Sequence, residues 1–194
     1  KKKAKKLSKD QVLFLSGSAH ACNQVCEDEQ NGTPMEKRRS FSFLLMGQGG
    51  SGKTAIVQEI VLPAVDFIFP PEDPGQSSCL IVCSSWAQAQ NISTLRHKAV
   101  SCHNAALMRV QSLRNREMLP GEKKSALERK LCPKKLLVLE EVSMISPALY
   151  NMLLYRFYHG RKERFEISQE RLYTKTGTAF GRMPLVIHLG DFLQ

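Results

Sequence analysis

The sequence predicts an α/β fold with a mostly parallel central sheet between two helical layers. Three observations predict it. Four short apolar runs, Phe41–Met46, Cys79–Cys83, Leu136–Leu139 and Leu185–Leu189, have strand length and mostly lack polar alternation. Strands buried on both faces read this way. Helical stretches separate the runs, and strands that alternate with helices pair in parallel through right-handed crossovers. The first run leads straight into Gly47-Gln48-Gly49-Gly50-Ser51-Gly52-Lys53-Thr54, a glycine-rich phosphate loop in its required strand–loop–helix context. The class is that of the P-loop NTPases.

The elements follow in chain order. Residues 1–6 are a lysine-rich tail, read as solvated. Residues 7–26 predict a helix with apolar Val12, Leu13, Leu15, Ala19 and Val25. Residues 27–39 are polar, contain Asn31-Gly32 and Pro34, and predict a surface loop. After the first strand come helices over Gly52–Phe69, Trp86–Thr94, Asn104–Arg116 and Pro147–Tyr158, with a turn at Asp73-Pro74-Gly75. Arg161 to Ala179 is polar and reads as an excursion from the core. Ligands of parallel sheets bind at the carboxyl ends of the strands. There the chain carries Gly47, Ser84-Ser85, Glu140-Glu141 and Gly190-Asp191.

Bulk composition bounds the partners. The chain has 194 residues, 42% hydrophobic and 24% charged, enough for one domain with its own core. A formal charge of +10 favours a polyanionic partner, nucleic acid first. The most apolar stretch, Ala55 to Pro70, is broken by Gln58, Glu59, Pro63 and Asp66, so no membrane span is expected. Cys79 and Cys83 fall in an apolar run and are expected to be buried thiols in a reducing compartment. His20, Cys22 and Cys26 lack the second ligand pair of a zinc finger. The chain opens without Met and stops after an apolar run, so it is expected to be a piece of a longer protein.

The motifs assign chemistry to residues. In the phosphate loop, glycines let backbone N–H groups point at a phosphate chain, and the following helix adds its positive end. Lys53 would reach the β and γ phosphates, and Thr54 Oγ1 would ligate magnesium. Leu136–Leu139 ends in two acids: Glu140 is expected to hold magnesium and Glu141 to polarise the attacking water. Gln194, after Gly190-Asp191, is expected to sense the γ phosphate. Arg96, Lys98, Arg109, Arg114, Arg116, Lys123, Lys124, Arg129, Lys130, Lys134 and Lys135 make the middle of the chain basic, a candidate phosphate-contacting face. Ser84 and Ser85 could bond a backbone phosphate, and Trp86 is either a base-stacking platform or a packed core residue.

In combination these motifs resemble superfamily 1 DNA helicases of the RecD-like and PIF type, along nearly the whole chain. Leu7-Ser8-Lys9-Asp10-Gln11 looks like their Q motif, which implies that Gln11 reads adenine. GQGGSGKT is similar to motif I, which implies nucleotide contacts from Gly47, Gly49, Gly50, Ser51, Gly52, Lys53 and Thr54. Cys83-Ser84-Ser85-Trp86-Ala87-Gln88 looks like motif Ia, which contacts single-stranded DNA, and His103 matches the element after it. Glu140-Glu141-Val142-Ser143-Met144-Ile145 resembles motif II, and Gly190-Asp191-Phe192-Leu193-Gln194 motif III. The chain departs from the family at Glu140, where the family has Asp, and at Ser84-Ser85-Trp86, where it usually has Pro-Thr-Gly.

The resemblance implies a first RecA-like domain over residues 7–194, three-layered, ending at motif III. It implies ATP and Mg2+ as cofactors and single-stranded or forked DNA as partner. A second RecA-like domain is expected beyond Gln194. It further implies 5′ to 3′ translocation and work in DNA repair, recombination or telomere maintenance. An intracellular location is expected, with nucleus and mitochondrion both open. Two rivals stand beside it: a P-loop ATPase that moves no nucleic acid, and a degenerate nucleotide- or DNA-binding module without catalysis.

Overall fold

The computed structural model describes residues 7–71, 73, 75–108, 120–161 and 179–191. The lysine tail, Arg109, Arg114, Arg116 and Gln194 lie outside them. Five parallel strands run in the order β1-β5-β4-β2-β3. They are β1 (Phe41–Met46), β2 (Cys79–Cys83), β3 (Ala99–Ser101), β4 (Leu136–Glu140) and β5 (Leu185–Gly190). Four are the apolar runs, two of them extended by one residue onto Glu140 and Gly190. β1 and β3 are the edge strands; the three half-buried residues of β3 are too short a run to announce themselves.

Alternation of side chains across the sheet builds two cores. Ile81, Cys83, Leu136, Val138, Ile187 and Leu189 face one way, against α1 (Lys9–Gln30) and the helical segment after the phosphate loop. Leu80, Val82, Leu137, Leu139 and Val186 face the other way. They meet α5 (Cys102–Ala105), α6 (Gly121–Leu131) and α7 (Pro147–His159). The result is the expected three-layer α/β arrangement. Among the described residues no helix is long and apolar enough to cross a membrane.

The segment after the phosphate loop is α2 (Lys53–Ile56), a π turn (Val57–Val61) and α3 (Leu62–Ile68). Pro63 brings no N–H to the turn before it, and the hydrogen-bond ladder widens there. α4 (Trp86–Ile92) is capped by Ser85 and α7 by Ser146.

Three expectations are corrected. α1 does not stop at residue 26 but runs to Gln30, because its acidic last turn has distant cationic partners. Asp28 pairs with Arg39 at 2.7 Å, and Glu29 pairs with Lys135. The helix expected over Asn104–Arg116 is interrupted at its start: α5 ends at Ala105 and Leu107 takes a left-handed φ of 50°, while residues 109–116 lie outside the described residues. Among the described residues the next helix is α6, inside the basic stretch. It buries Leu127 and Leu131 against Gly160, where an added Cβ would fall 2.9 Å from Leu127 Cγ. Lastly, Arg161 belongs to the core, not to a polar excursion. It is 1% exposed and donates to the Gly181 carbonyl at 2.8 Å and the Leu131 carbonyl at 2.6 Å. The rest of the expected excursion, residues 162–178, falls outside the described residues, while Phe180 is buried.

Candidate nucleotide site and nucleic-acid interface

Strand order sets the site. β5 lies between β1 and β4, so the phosphate loop, Asp191 and the two acids emerge side by side at the carboxyl edge of the sheet. Gly50 and Gly52 take φ of 77° and 85°, values a side chain resists, and this folds the loop into its tight course. A Cβ on Gly47 would come within 3.0 Å of Ser51 Oγ. Lys53 begins α2, and its Nζ donates to the Gly47 carbonyl and, at 3.0 Å, to the Gln48 carbonyl. The ammonium thus closes the loop on itself.

Thr54 and Glu140 meet. The Thr54 hydroxyl donates to Glu140 Oε1 across two elements far apart in sequence. Parity along β4 explains why it is Glu140: it shares the face of Leu136 and Val138, the face against which α2 packs. Glu140 is 6% exposed. Burial pushes its pKa above the ordinary carboxylate value; the Thr54 hydrogen bond works against that, Glu141 adds to it, and Lys53 opposes it. A hydroxyl and a carboxylate oxygen brought together at a phosphate loop are the hard oxygen donors that magnesium takes. The residues present fit that ion.

Glu141 differs from its neighbour. It takes φ 53° and ψ 50°, a left-handed conformation uncommon for a residue with a side chain. Its Oε2 is buried and has no hydrogen-bond partner among the described residues. An unsatisfied buried carboxylate oxygen is expensive in an apolar setting, and such groups gather where chemistry is done. His103, on α5, likewise has a buried Nε2 without a partner among the described residues.

Gln11 reaches the loop. It closes a capping box with Ser8: its N–H donates to Ser8 Oγ at 3.2 Å and its Oε1 accepts from the Ser8 N–H at 2.9 Å. Its Nε2 donates to the Ser51 carbonyl at 3.2 Å. Gln11 therefore ties the start of α1 to the phosphate loop. Asp191 approaches from β5, and its Oδ2 accepts the Gly49 N–H at 3.0 Å. Sequence reasoning gave Asp191 no role of its own. Its sequence signals were its place at the carboxyl end of a strand, which Gly47 and Glu141 share, and its membership of the motif III match.

The motif Ia residues form a separate rim. Ser85 Oγ accepts the Gln88 N–H at 3.2 Å as the cap of α4, and Ser84 Oγ donates to Gln88 Oε1 at 2.5 Å. Trp86 is 67% exposed, which decides its two readings in favour of an open aromatic face. The basic middle, by contrast, is partly internal. Lys130 Nζ donates to the Asn104 carbonyl at 2.8 Å, Lys134 to the Ser77 carbonyl, and Lys135 to Glu29. Arg96 pairs with Asp66 at 3.3 Å. These four cations are committed to the fold, and the expectation of one continuous phosphate-binding face is corrected to that extent.

The described residues bring metal-type donors together at Asp66, Cys79 and His97, within 4.8 Å of one another, and not at His20, Cys22 and Cys26. Asp66 is already saturated. It accepts from Ser78 N at 2.8 Å, Ser77 Oγ at 2.9 Å and Arg96 at 3.3 Å, and pairs with His97 Nε2 at 2.9 Å. Four donors, one of them a guanidinium, make this carboxylate a hydrogen-bond hub that joins α3 to the starts of β2 and β3.

Solved structures share this architecture. Pif1 from Bacteroides sp in complex with ADP-AlF4 aligns over 98% of the chain with a TM-score of 0.60 and 16% identity. Bacteroides Pif1 in complex with ADP-AlF3 and ssDNA aligns over 98% with a TM-score of 0.56 and 15% identity. Pif1 helicase from Candida albicans gives 98%, 0.58 and 18%. The fold is the RecA-like fold of Pif1 helicases. The chain spans about a third of the length of these structures, 33% or 34%. No protein-family model matches the sequence, and neither does any curated protein.

Proposed function

We propose that this chain is the nucleotide-binding RecA-like domain of an ATP-dependent DNA helicase. The observation that supports this most is the contact between Thr54 and Glu140 below a well-formed phosphate loop, with β5 inserted beside it. ATP lies along residues 47–54, with adenine toward Gln11. Lys53 exchanges the Gly47 and Gln48 carbonyls for the β and γ phosphates. Thr54 and Glu140 would hold Mg2+, which would screen the charge of the phosphates. Glu141, its Oε2 unpaired, orients water for in-line attack on the γ phosphate. Gln194 senses that phosphate. DNA runs over Ser84, Ser85 and His103 with a base stacked on Trp86. A likeness to Pif1 crystallised with ADP-AlF3 and ssDNA supports both ligands.

The wider reading is that hydrolysis drives 5′ to 3′ translocation on single-stranded or forked DNA. That requires a second RecA-like domain after Gln194. Genome maintenance in the nucleus or mitochondrion belongs to the same proposal. The test is ATP hydrolysis by the full-length protein with and without single-stranded oligonucleotide. Stimulation by DNA, lost in Lys53→Ala, is expected; hydrolysis indifferent to DNA would point to a P-loop ATPase of another kind. The 194 residues alone should bind ATP weakly and unwind little or nothing, because in the proposed motor half of the nucleotide cleft would come from the second RecA-like domain.

Glu140 favours a second reading, a binding module without turnover. Its longer side chain reaches Thr54 directly. Glu140→Asp separates the two. A gain in hydrolysis supports the motor, whereas no gain with DNA binding intact supports the module.

A further inference from the structure

Three contacts hold the phosphate loop at alternate residues. The Gly47 N–H donates to the Gly190 carbonyl at 3.3 Å. The Gly49 N–H donates to Asp191 Oδ2 at 3.0 Å. The Ser51 carbonyl accepts from Gln11 Nε2 at 3.2 Å. Among the described residues the N–H groups of Gly50 and Gly52 make no such bond. The two side-chain contacts differ in kind. Gln11 is a neutral side chain at the domain edge. Asp191 is an acidic side chain only 5% exposed, with Oδ2 hydrogen-bonded to the loop.

Direction of approach decides what Asp191 does. Gln48, Gly49, Gly50 and Ser51 are exposed, so a nucleotide enters from the solvent side. Asp191 is buried at the end of β5 and reaches Gly49 from beneath. A run of glycines has unusual backbone freedom, and each residue held in place beforehand is one that binding need not order.

We propose that Asp191 is a positioning residue for nucleotide binding: its carboxylate fixes Gly49 and so presets the loop to receive a polyphosphate. It touches the loop, not the ligand. The inference rests on the nucleotide reading above and adds to it that β5 governs affinity as well as the sensing expected of Gln194.

The test compares Asp191→Ala with Asp191→Asn, using fluorescent ADP and ATP analogues as probes and Lys53→Ala as control. Loss of one charge-assisted hydrogen bond predicts about tenfold weaker binding of both nucleotides in Asp191→Ala. Asp191→Asn, which keeps a carbonyl acceptor, should stay within about threefold of wild type. Amide hydrogen exchange at Gly49 without nucleotide should quicken in Asp191→Ala and not in Asp191→Asn. Wild-type affinity in Asp191→Ala, with or without a lowered urea midpoint, overturns the proposal and leaves the nucleotide reading intact. Tighter binding overturns it too, since Asp191 would then compete with phosphate. If wild type binds no better than Lys53→Ala, the nucleotide reading fails and this inference with it.

Discussion

The two ends of the sheet are built on opposite principles. At the amino end the charged groups are tied into networks. Asp66 holds four donors, Asp28 is clamped by Arg39, Glu29 pairs with Lys135, and Arg161 is caged by carbonyls. At the carboxyl end the groups are left wanting. Glu141 is strained with a bare Oε2, His103 has a bare Nε2, Glu140 is buried and hard to ionise, and Lys53 rests on loop carbonyls. Saturated networks fix a fold. Unsatisfied groups beside a phosphate loop mark where a ligand completes the structure, although among the described residues Glu128 Oε1 on α6 is bare as well. Charge alone would not have separated these ends, since both are rich in it.

Substitutions can break that contrast. The largest expected effect is Asp66→Ala, which strands His97, Arg96, Ser77 and Ser78 and should cost about 3–5 kcal/mol of stability. A urea midpoint measures it, and nucleotide affinity of the protein that remains folded should not change. Lys53→Ala is the reverse case. It should lower ATP affinity by about 1.5–3 kcal/mol, seen by titration calorimetry, while the urea midpoint holds. If Lys53→Ala unfolds the chain, or Asp66→Ala selectively loses nucleotide, the division between the ends is wrong. Trp86→Ala should weaken single-stranded DNA binding by about 1–3 kcal/mol without touching ATP affinity, as fluorescence anisotropy can report.

The smallest effect is the sharpest probe of the carboxyl end. Burial raises the folded-state pKa of Glu140 above its unfolded value. The native state therefore holds its proton more firmly, so stability is greatest below the ordinary carboxylate pKa and falls as pH rises toward the folded value. Glu140→Gln removes the ionisation and keeps an acceptor for Thr54. At neutral pH it should be more stable than wild type, and the difference should vanish as pH falls through the carboxylate range. Equal urea midpoints at every pH would mean that Glu140 pays no penalty for its burial.

Local signals carried much of this. Three of the main strands were legible because burial on both faces leaves unbroken apolar runs such as Cys79–Cys83, whereas β1, an edge strand with Ser42 and Leu44 exposed, is not buried on both faces as expected; the phosphate loop was legible because few backbones other than glycine take φ near 77° and 85°. β3 was not legible, since three half-buried residues form no pattern. α6 hid inside a basic stretch, because only Leu127 and Leu131 of its surface are buried.

The sequence by itself thus determined the class of fold, the phosphate loop and the acids available to it, all encoded by residues adjacent in the chain. Tertiary structure alone decided which groups meet. Thr54 reaches Glu140, Gly49 reaches Asp191, Asp28 reaches Arg39 and Lys135 reaches Glu29 only because β5 inserts between β1 and β4 and the helices pack on fixed faces. Those pairings join residues far apart in the chain, and such contacts are set by packing and topology, which no local run of residues contains.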